Sequence, residues 1–282
     1  MKENYRLLVC TNGSQESLPA IHYSACLAGL LKKPITLLGV IETRRAKHRV
    51  EGVVQEAEEI YRQAGIEYTS LLESGSAPKT IAKFTQSNSY VAVAGPFGRP
   101  AWQRAIQGRT FRRLLARVET PLIYVPQVKE TLTHILLCMG GLSYSSGVER
   151  FSIYLAQIAM ASVTVLHIVE PVTMEYPLAK DVHNHWREIL STETPQGKNL
   201  RQAMERIQAC GLRAAFKVKH GNPVHEILEE VRLGDYDMIA MGSAYSAHSL
   251  RRLYVPNITA EVAEAVNLPV LTVRHGREII RD

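Results

Sequence analysis

The feature that most constrains this chain is that it is written twice. Leu7-Leu-Val-Cys10 returns as Ile135-Leu-Leu-Cys138, and Ile35-Thr-Leu-Leu-Gly-Val-Ile-Glu42 returns as Val163-Thr-Val-Leu-His-Ile-Val-Glu170, both 128 residues later. Gly75-Ser-Ala-Pro78 answers to Gly221-Asn-Pro223 at an offset of 146, Val93-Ala-Gly95 to Ala240-Met-Gly242 at 147, and Pro121-Leu-Ile-Tyr-Val125 to Pro269-Val-Leu-Thr-Val273 at 148. Five matches in unbroken order imply a tandem duplication. The expected domains are 1–128 and 129–282, joined near 127–131, and 282 residues suit two domains. The step from 128 to 146 places 18 additional residues in the second half, in a segment about 171–198 that has no counterpart in the first.

Within each half, short aliphatic runs alternate with helix-period segments. The strand-like runs of the first half are Arg6–Thr11, Ile35–Ile41, 66–72, Tyr90–Ala94 and 122–125. They are apolar almost without interruption, as parallel strands covered on both faces must be. Between them Ile21, Ala25 and Ala28 share one helical face, and Val53, Ala57 and Ile60 another. The second half repeats this with Val148, Phe151, Leu155 and Ile158, then Leu200, Ala203, Met204 and Ile207. Strand alternating with helix predicts right-handed βαβ units. The fold class is therefore α/β: two tandem doubly wound domains, each a five-stranded parallel sheet with helices on both faces. A ligand site in such a domain lies beyond the carboxyl ends of the strands, where the strand order reverses.

Charge divides the halves. Residues 1–128 hold 17 basic and 10 acidic side chains, +7; the remainder hold 16 and 17, −1, and all four Asp residues lie there. A basic half suggests an anionic partner, such as a phosphate ligand, nucleic acid or an acidic protein; drift in surface composition is an equal account. Apolar residues at 46% and charged residues at 21% exclude a disordered or collagen-like chain. No run approaches a membrane span, and the first ten residues lack a secretory leader's apolar core. Cys10, Cys26, Cys138 and Cys210 form no Cys-x-x-Cys pair, so neither a disulfide framework nor a zinc cluster is expected and the chain reads as cytoplasmic.

After the fourth strand comes Gly95-Pro-Phe-Gly98, then nine residues, then Gly108-Arg109-Thr110. Glycines so spaced let backbone N–H groups approach an anion, and the last opens a helix over 110–118 whose N-terminus favours phosphate. Arg99, Arg104, Arg109, Arg112, Arg113 and Arg117 line the same stretch. On spacing alone, turn-ending glycines beside a solvated basic helix are an equal alternative.

The chain resembles the universal stress protein family. The residues that carry the resemblance are Leu7–Cys10 leading into Asn12-Gly13-Ser14, the Leu37-Leu-Gly-Val40 strand, the Gly75-x-x-Pro78 turn and the Gly95/Gly98/Gly108 spacing before Pro121-Leu-Ile-Tyr-Val125. In the second half they are Leu166-His-Ile-Val169, Gly221-Asn-Pro223, Asp237-Met-Ile-Ala-Met-Gly-Ser243 and Leu268-Pro-Val-Leu-Thr-Val273. The resemblance implies a stress-response regulatory protein that binds an adenine nucleotide, ATP or AMP with or without Mg²⁺. Carried over position by position, it implies a first-half pocket of Cys10, Thr11, Asn12, Val40, Ala94, Gly95, Gly98, Gly108, Arg109 and Thr110, with Val40 against the base. The matching second-half residues are Met139, Gly140, Val169, Met241, Gly242 and Asn257.

Departures from the family pattern shape the expectation. ATP-binding members end their first strand in Asp; here Asn12 and Gly140 stand there. Arg109 occupies the hydroxyl position, with Thr110 one place later. Tyr245 replaces the second-half glycine, and Pro256-Asn257 stands where Gly-Ser belongs. The second site therefore reads as eroded. Two alternatives to nucleotide binding stand: an interaction module that binds no nucleotide and meets an acidic partner through its basic half, and a slow ATPase. No general base or metal carboxylate is evident, so no catalytic residue is assigned. Neither a metal site nor a nucleic-acid partner is expected: His183-x-His185 lacks a carboxylate or Cys group, and aromatic-basic interleaving is limited to Trp102 and Phe111 among arginines. The two domains are expected to pack through their final strands, as an intramolecular pseudo-dimer with a homodimer as a further possibility.

Overall fold

A computed structural model describes residues 5–87, 89–97, 110–140, 146–170, 186–243 and 258–274. The first half runs β1 (Arg6–Thr11), α1 (Leu18–Leu31), β2 (Ile35–Ile41), α2 (Lys47–Gln63), β3 (Tyr68–Ser74), α3 (Ala77–Ser87), β4 (Tyr90–Ala94), α4 (Thr110–Arg117) and β5 (Leu122–Tyr124). The second runs β6 (His134–Cys138), α5 (Ser146–Ala159), β7 (Ser162–Val169), α6 (Pro195–Ala209), β8 (Ala214–His220), α7 (Pro223–Leu233), β9 (Met238–Ser243), α8 (Ile258–Ala265) and β10 (Val270–Arg274).

All ten strands form one sheet, in the order β3-β2-β1-β4-β5-β10-β9-β6-β7-β8. Each half contributes five parallel strands, and in each the chain steps outward twice before crossing back to the other side of its first strand. The halves meet where β5 and β10 pair antiparallel, with Tyr124 opposite Val270 and Leu122 opposite Thr272. That pairing covers two edges that would otherwise expose unsatisfied backbone groups.

Side chains alternate across the sheet into two layers that both halves share. One layer packs Leu7, Val9, Leu37, Ile135, Leu137 and Val165 under α1, α2, α5 and α6. The other packs Leu8, Cys10, Leu38, Leu136, Leu166 and Ile239 under α3, α4, α7 and α8. The duplication is visible in the backbone as well. Lys32 and Met160 end equivalent helices in the left-handed region, at φ 51° and 53°, and Gly65 and Gly211 close α2 and α6 at 65° and 74°.

Two expected boundaries move. The third strand begins at Tyr68 rather than 66, because the Ile66 N–H donates to the Tyr61 carbonyl and so belongs to the turn that closes α2. The segment 171–198 is not all extra chain. A 3-10 turn covers Trp186–Ser191, and α6 starts at Pro195, capped by Thr194 Oγ1 accepting from the Gly197 N–H at 3.1 Å. Arg201 ties this turn down by donating to the carbonyls of Leu190 and Thr192, both at 2.6 Å.

Charged side chains also cross the seam. Arg112 of α4 meets Glu264 at 3.3 Å and Glu261 at 3.8 Å on α8, and Arg274 donates to the Leu115 carbonyl at 2.7 Å. Part of the first half's positive excess is thus balanced by the second half. On the opposite layer the rings of Tyr5 and Phe151 lie 6.5 Å apart.

Candidate functional site

β1 pairs with β2 on one side and β4 on the other, so the crevice of the first half opens beyond the carboxyl ends of β1 and β4. Cys10 stands level with Ala94, which brings Thr11, Asn12 and Gly95 to its mouth. The chain after β1 is a buried polar turn. Gly13 N–H donates to Thr11 Oγ1 at 3.0 Å and Ser14 N–H to Asn12 Oδ1 at 3.2 Å. Ser17 Oγ donates to the Ser14 carbonyl at 2.7 Å, so its one proton is committed there. The 2.6 Å contact between Thr11 and Ser17 therefore has the threonine hydroxyl donating.

Close backbone packing pins this turn from two sides. A Cβ at Gly13, whose φ is +75°, would lie 2.7 Å from both the N and Cα of Val50 on α2. A Cβ at Gly95 would lie 2.8 Å from the Glu16 carbonyl oxygen and 3.2 Å from Ser17 Cα. Only glycine lets the two loops and the helix touch. Asn12 is only 5% exposed. With Oδ1 held by Ser14, its Nδ2 is the atom able to face a ligand, so Asn12 presents a donor where Asp would present an acceptor.

The other first-half candidates divide by chemistry. Cys10, Val40 and Ala94 are fully buried in the apolar layer under α3 and α4. None of their side chains offers a charged group, and all three are 0% exposed. The Cys10 thiol donates weakly to the Leu8 carbonyl at 3.7 Å, and burial pushes its pKa far up, so it is inert. Thr110 opens α4. Gly98, Gly108 and Arg109 lie outside the described residues, as do Asn257, His183 and His185.

In the second half Met139 and Gly140 follow β6, and Met241 and Gly242 close β9. Gly140 is exposed, and a Cβ there would meet nothing within 4 Å. One expected match needs correction. Leu166 pairs with Cys138 as Leu38 pairs with Cys10, so the counterpart of Val40 is Ile168, not Val169. Ile168 packs on the layer that holds Val40, whereas Val169 points into the opposite layer. A slip of one residue reverses the face.

Two features of the crevices lie outside the residues expected to form the pockets. Ser14 and Ser17 complete the buried turn, and a serine three residues after another, just before a helix, was the available signal. His167 is the other. Its Nδ1–H donates to the Met139 carbonyl at 2.8 Å, and burial holds its pKa below the usual value, so the ring is neutral. Its counterpart is Gly39, where a Cβ would sit 2.7 Å from Leu72 and 2.9 Å from Val50 and Val54. In the first half α2 closes down on that glycine, whereas in the second an imidazole occupies the space.

Comparison with known proteins places this architecture. The chain is 21% identical over 305 aligned residues to universal stress protein Slr1230 of Synechocystis, covering 95% of this chain and 99% of that one. A universal stress protein from Archaeoglobus fulgidus superposes with a TM-score of 0.74 at 17% identity, over 96% of each chain. A functionally unknown protein of Pseudomonas aeruginosa gives 0.70 at 16% identity, over 99% of this chain and 95% of that one. The family profile described as the universal stress protein family matches residues 131–274, about half of the chain, and the protein belongs to that family.

Proposed function

We propose that the first half binds an adenine nucleotide, ATP or AMP, and that the protein serves a regulatory role in the stress response. The observation that carries this reading is the meeting of the β1 and β4 loops at the point where strand order reverses. There Asn12 is held by its Oδ1, which leaves its Nδ2 amide as the donor group, and Gly95 admits close backbone approach. Cys10, Val40 and Ala94 would wall the base and ribose, while the segment from Gly98 to Thr110 would supply backbone N–H groups and the Arg109 guanidinium to the phosphates. Asn12 cannot replace a metal-binding carboxylate. Phosphate charge would then be met mainly by arginine and backbone, and binding would depend little on Mg²⁺. The second crevice lacks this set, since Gly140 brings no polar side chain and Tyr245 and Pro256 interrupt the loop.

Differential scanning calorimetry with ATP, with and without Mg²⁺, and with AMP tests this on the wild type and on Gly98→Tyr, which writes Tyr245 of the second half into the first. Ligand at about 100 times Kd stabilises the wild type by ~2.7 kcal/mol, and the substitution removes that gain while leaving the ligand-free Tm unchanged. A wild type whose Tm ignores both nucleotides sinks the reading. Phosphate release over time would convert it into the ATPase alternative.

A further inference from the structure

On the layer formed by α3, α4, α8 and α7, charge is distributed unevenly. The outward residues of α3 and α4 include Lys79, Lys83, Arg113 and Arg117, all exposed, and neither helix contains an acidic residue. Each pair is spaced i, i+4, so each forms a row along its helix, and the two helices lie side by side. The buried residues of these helices, Ile81, Phe111, Leu114 and Leu115, point the opposite way. The four cations therefore form a two-row field, and like charges so close repel unless something anionic covers them.

The molecule itself shows what such a row accepts. Arg112, one residue from Arg113, holds Glu261 and Glu264 of α8 at 3.8 Å and 3.3 Å, an acidic helix laid against the flank of α4. The outer face repeats that chemistry with no acidic helix upon it among the described residues. Aromatic side chains, which single-stranded nucleic acid would stack upon, are absent from the exposed residues of α3 and α4 among those described. None of the large exposed apolar residues among those described lies there, as insertion into a membrane would require.

We infer that the α3–α4 face is a docking surface for an acidic helical segment of another protein, with Glu or Asp at i and i+4 opposite Lys79, Lys83, Arg113 and Arg117. The test of this surface does not depend on nucleotide. Fluorescence anisotropy at about 50 mM salt would use the full chain and a capped alanine-based helical peptide carrying Glu at i and i+4. Three proteins are compared: the wild type; Lys79→Glu, Lys83→Glu, Arg113→Glu and Arg117→Glu combined; and an equal-charge control with Arg44→Glu, Arg45→Glu, Lys47→Glu and Arg49→Glu combined. Circular dichroism checks that all three fold. The first set is expected to weaken binding by about tenfold or more and the control by less than about twofold, with a Glu→Gln peptide failing to bind. Equal loss in both sets overturns the proposal, because it means unspecific attraction to a basic protein. So does tighter binding of a DNA duplex or of phosphatidylserine vesicles. Self-association of the chain alone, abolished by the first set, would assign the face to a second copy and overturn it as well.

Discussion

Equivalent positions in the two halves hold opposite chemistry on the same backbone. Ile21 of α1 and Ile60 of α2 pack in the first half; 128 and 146 residues later stand Glu149 and Arg206. Glu149 is 2% exposed, and Arg206 grips it bidentately at 2.6 and 3.0 Å. On the other layer Leu71 and Phe84 are replaced by Lys217 and Glu230. Glu230 accepts from Lys217 Nζ at 2.6 Å and the Tyr236 hydroxyl at 2.7 Å, and meets Lys219 at 3.1 Å. The half with a net charge near zero is thus the one that buries its charges, while the +7 half keeps an aliphatic interior. Net charge says nothing of where charge lies. The fold accepts an ion pair in place of two aliphatic side chains provided both partners change together.

Backbone contact separates the two crevices most sharply. Gly13→Ala forces a Cβ onto the backbone of Val50 at positive φ and is expected to cost about 3 kcal/mol in urea unfolding. Gly140→Ala, which meets open space, is expected to stay within about 0.5 kcal/mol. Similar losses at both sites would mean that the crevices are equally packed. The ion pair comes next. Arg206→Ala leaves the Glu149 carboxylate buried and costs about 2 kcal/mol, less than a fully buried pair because half of the Arg206 side chain lies in water. Glu149→Ile with Arg206→Ile, which copies the first half, should return to within about 1 kcal/mol of the wild type. A double variant no better than the single one would show that the halves are not interchangeable at this place.

Acid gives the smallest effect and the finest distinction. Burial raises the Glu230 carboxyl, but Lys217, Tyr236 and Lys219 more than reverse this and hold it at about 2. Asp237 is likewise lowered: burial opposes, and the Thr133 N–H, the hydroxyls of Thr133 and Thr131 and the His134 N–H prevail. Both groups titrate lower folded than unfolded. Their stabilisation is therefore present above the ordinary carboxylate range and is lost as pH falls through the folded values. Peptide-resolved hydrogen exchange in acid should open β6, β8 and α7 before the first-half strands. Asp237→Asn should be less stable at neutral pH and lose less on acidification. Simultaneous opening of both halves would remove the distinction.

Much of this architecture is legible in the sequence, and the limits have physical causes. β1, β2 and β4 were readable to the residue because central parallel strands are apolar on both faces. β3 was not, because an edge strand is half solvated, and its Ile66 serves the preceding turn. At the site, the position of Asn12 and Gly95 followed from the motif. The Val169 assignment slipped by one residue against the constant 128-residue offset of the second strands, which already pairs Val40 with Ile168, and a slip of one residue changes the face. The committed Oδ1 of Asn12 and the Thr11–Ser17 contact arise only when the turn closes in three dimensions.

The β5–β10 seam has one more consequence. In a symmetric dimer of identical subunits every contact occurs twice. Here the mirror of Arg112 against Glu261 and Glu264 would be Ala260 against Arg113 and Ala116, which forms no ion pair. A single chain that holds both halves is not bound by that symmetry, and each side of the contact can change alone. It also makes the association immune to dilution, because the linker keeps the second half at a fixed high effective concentration.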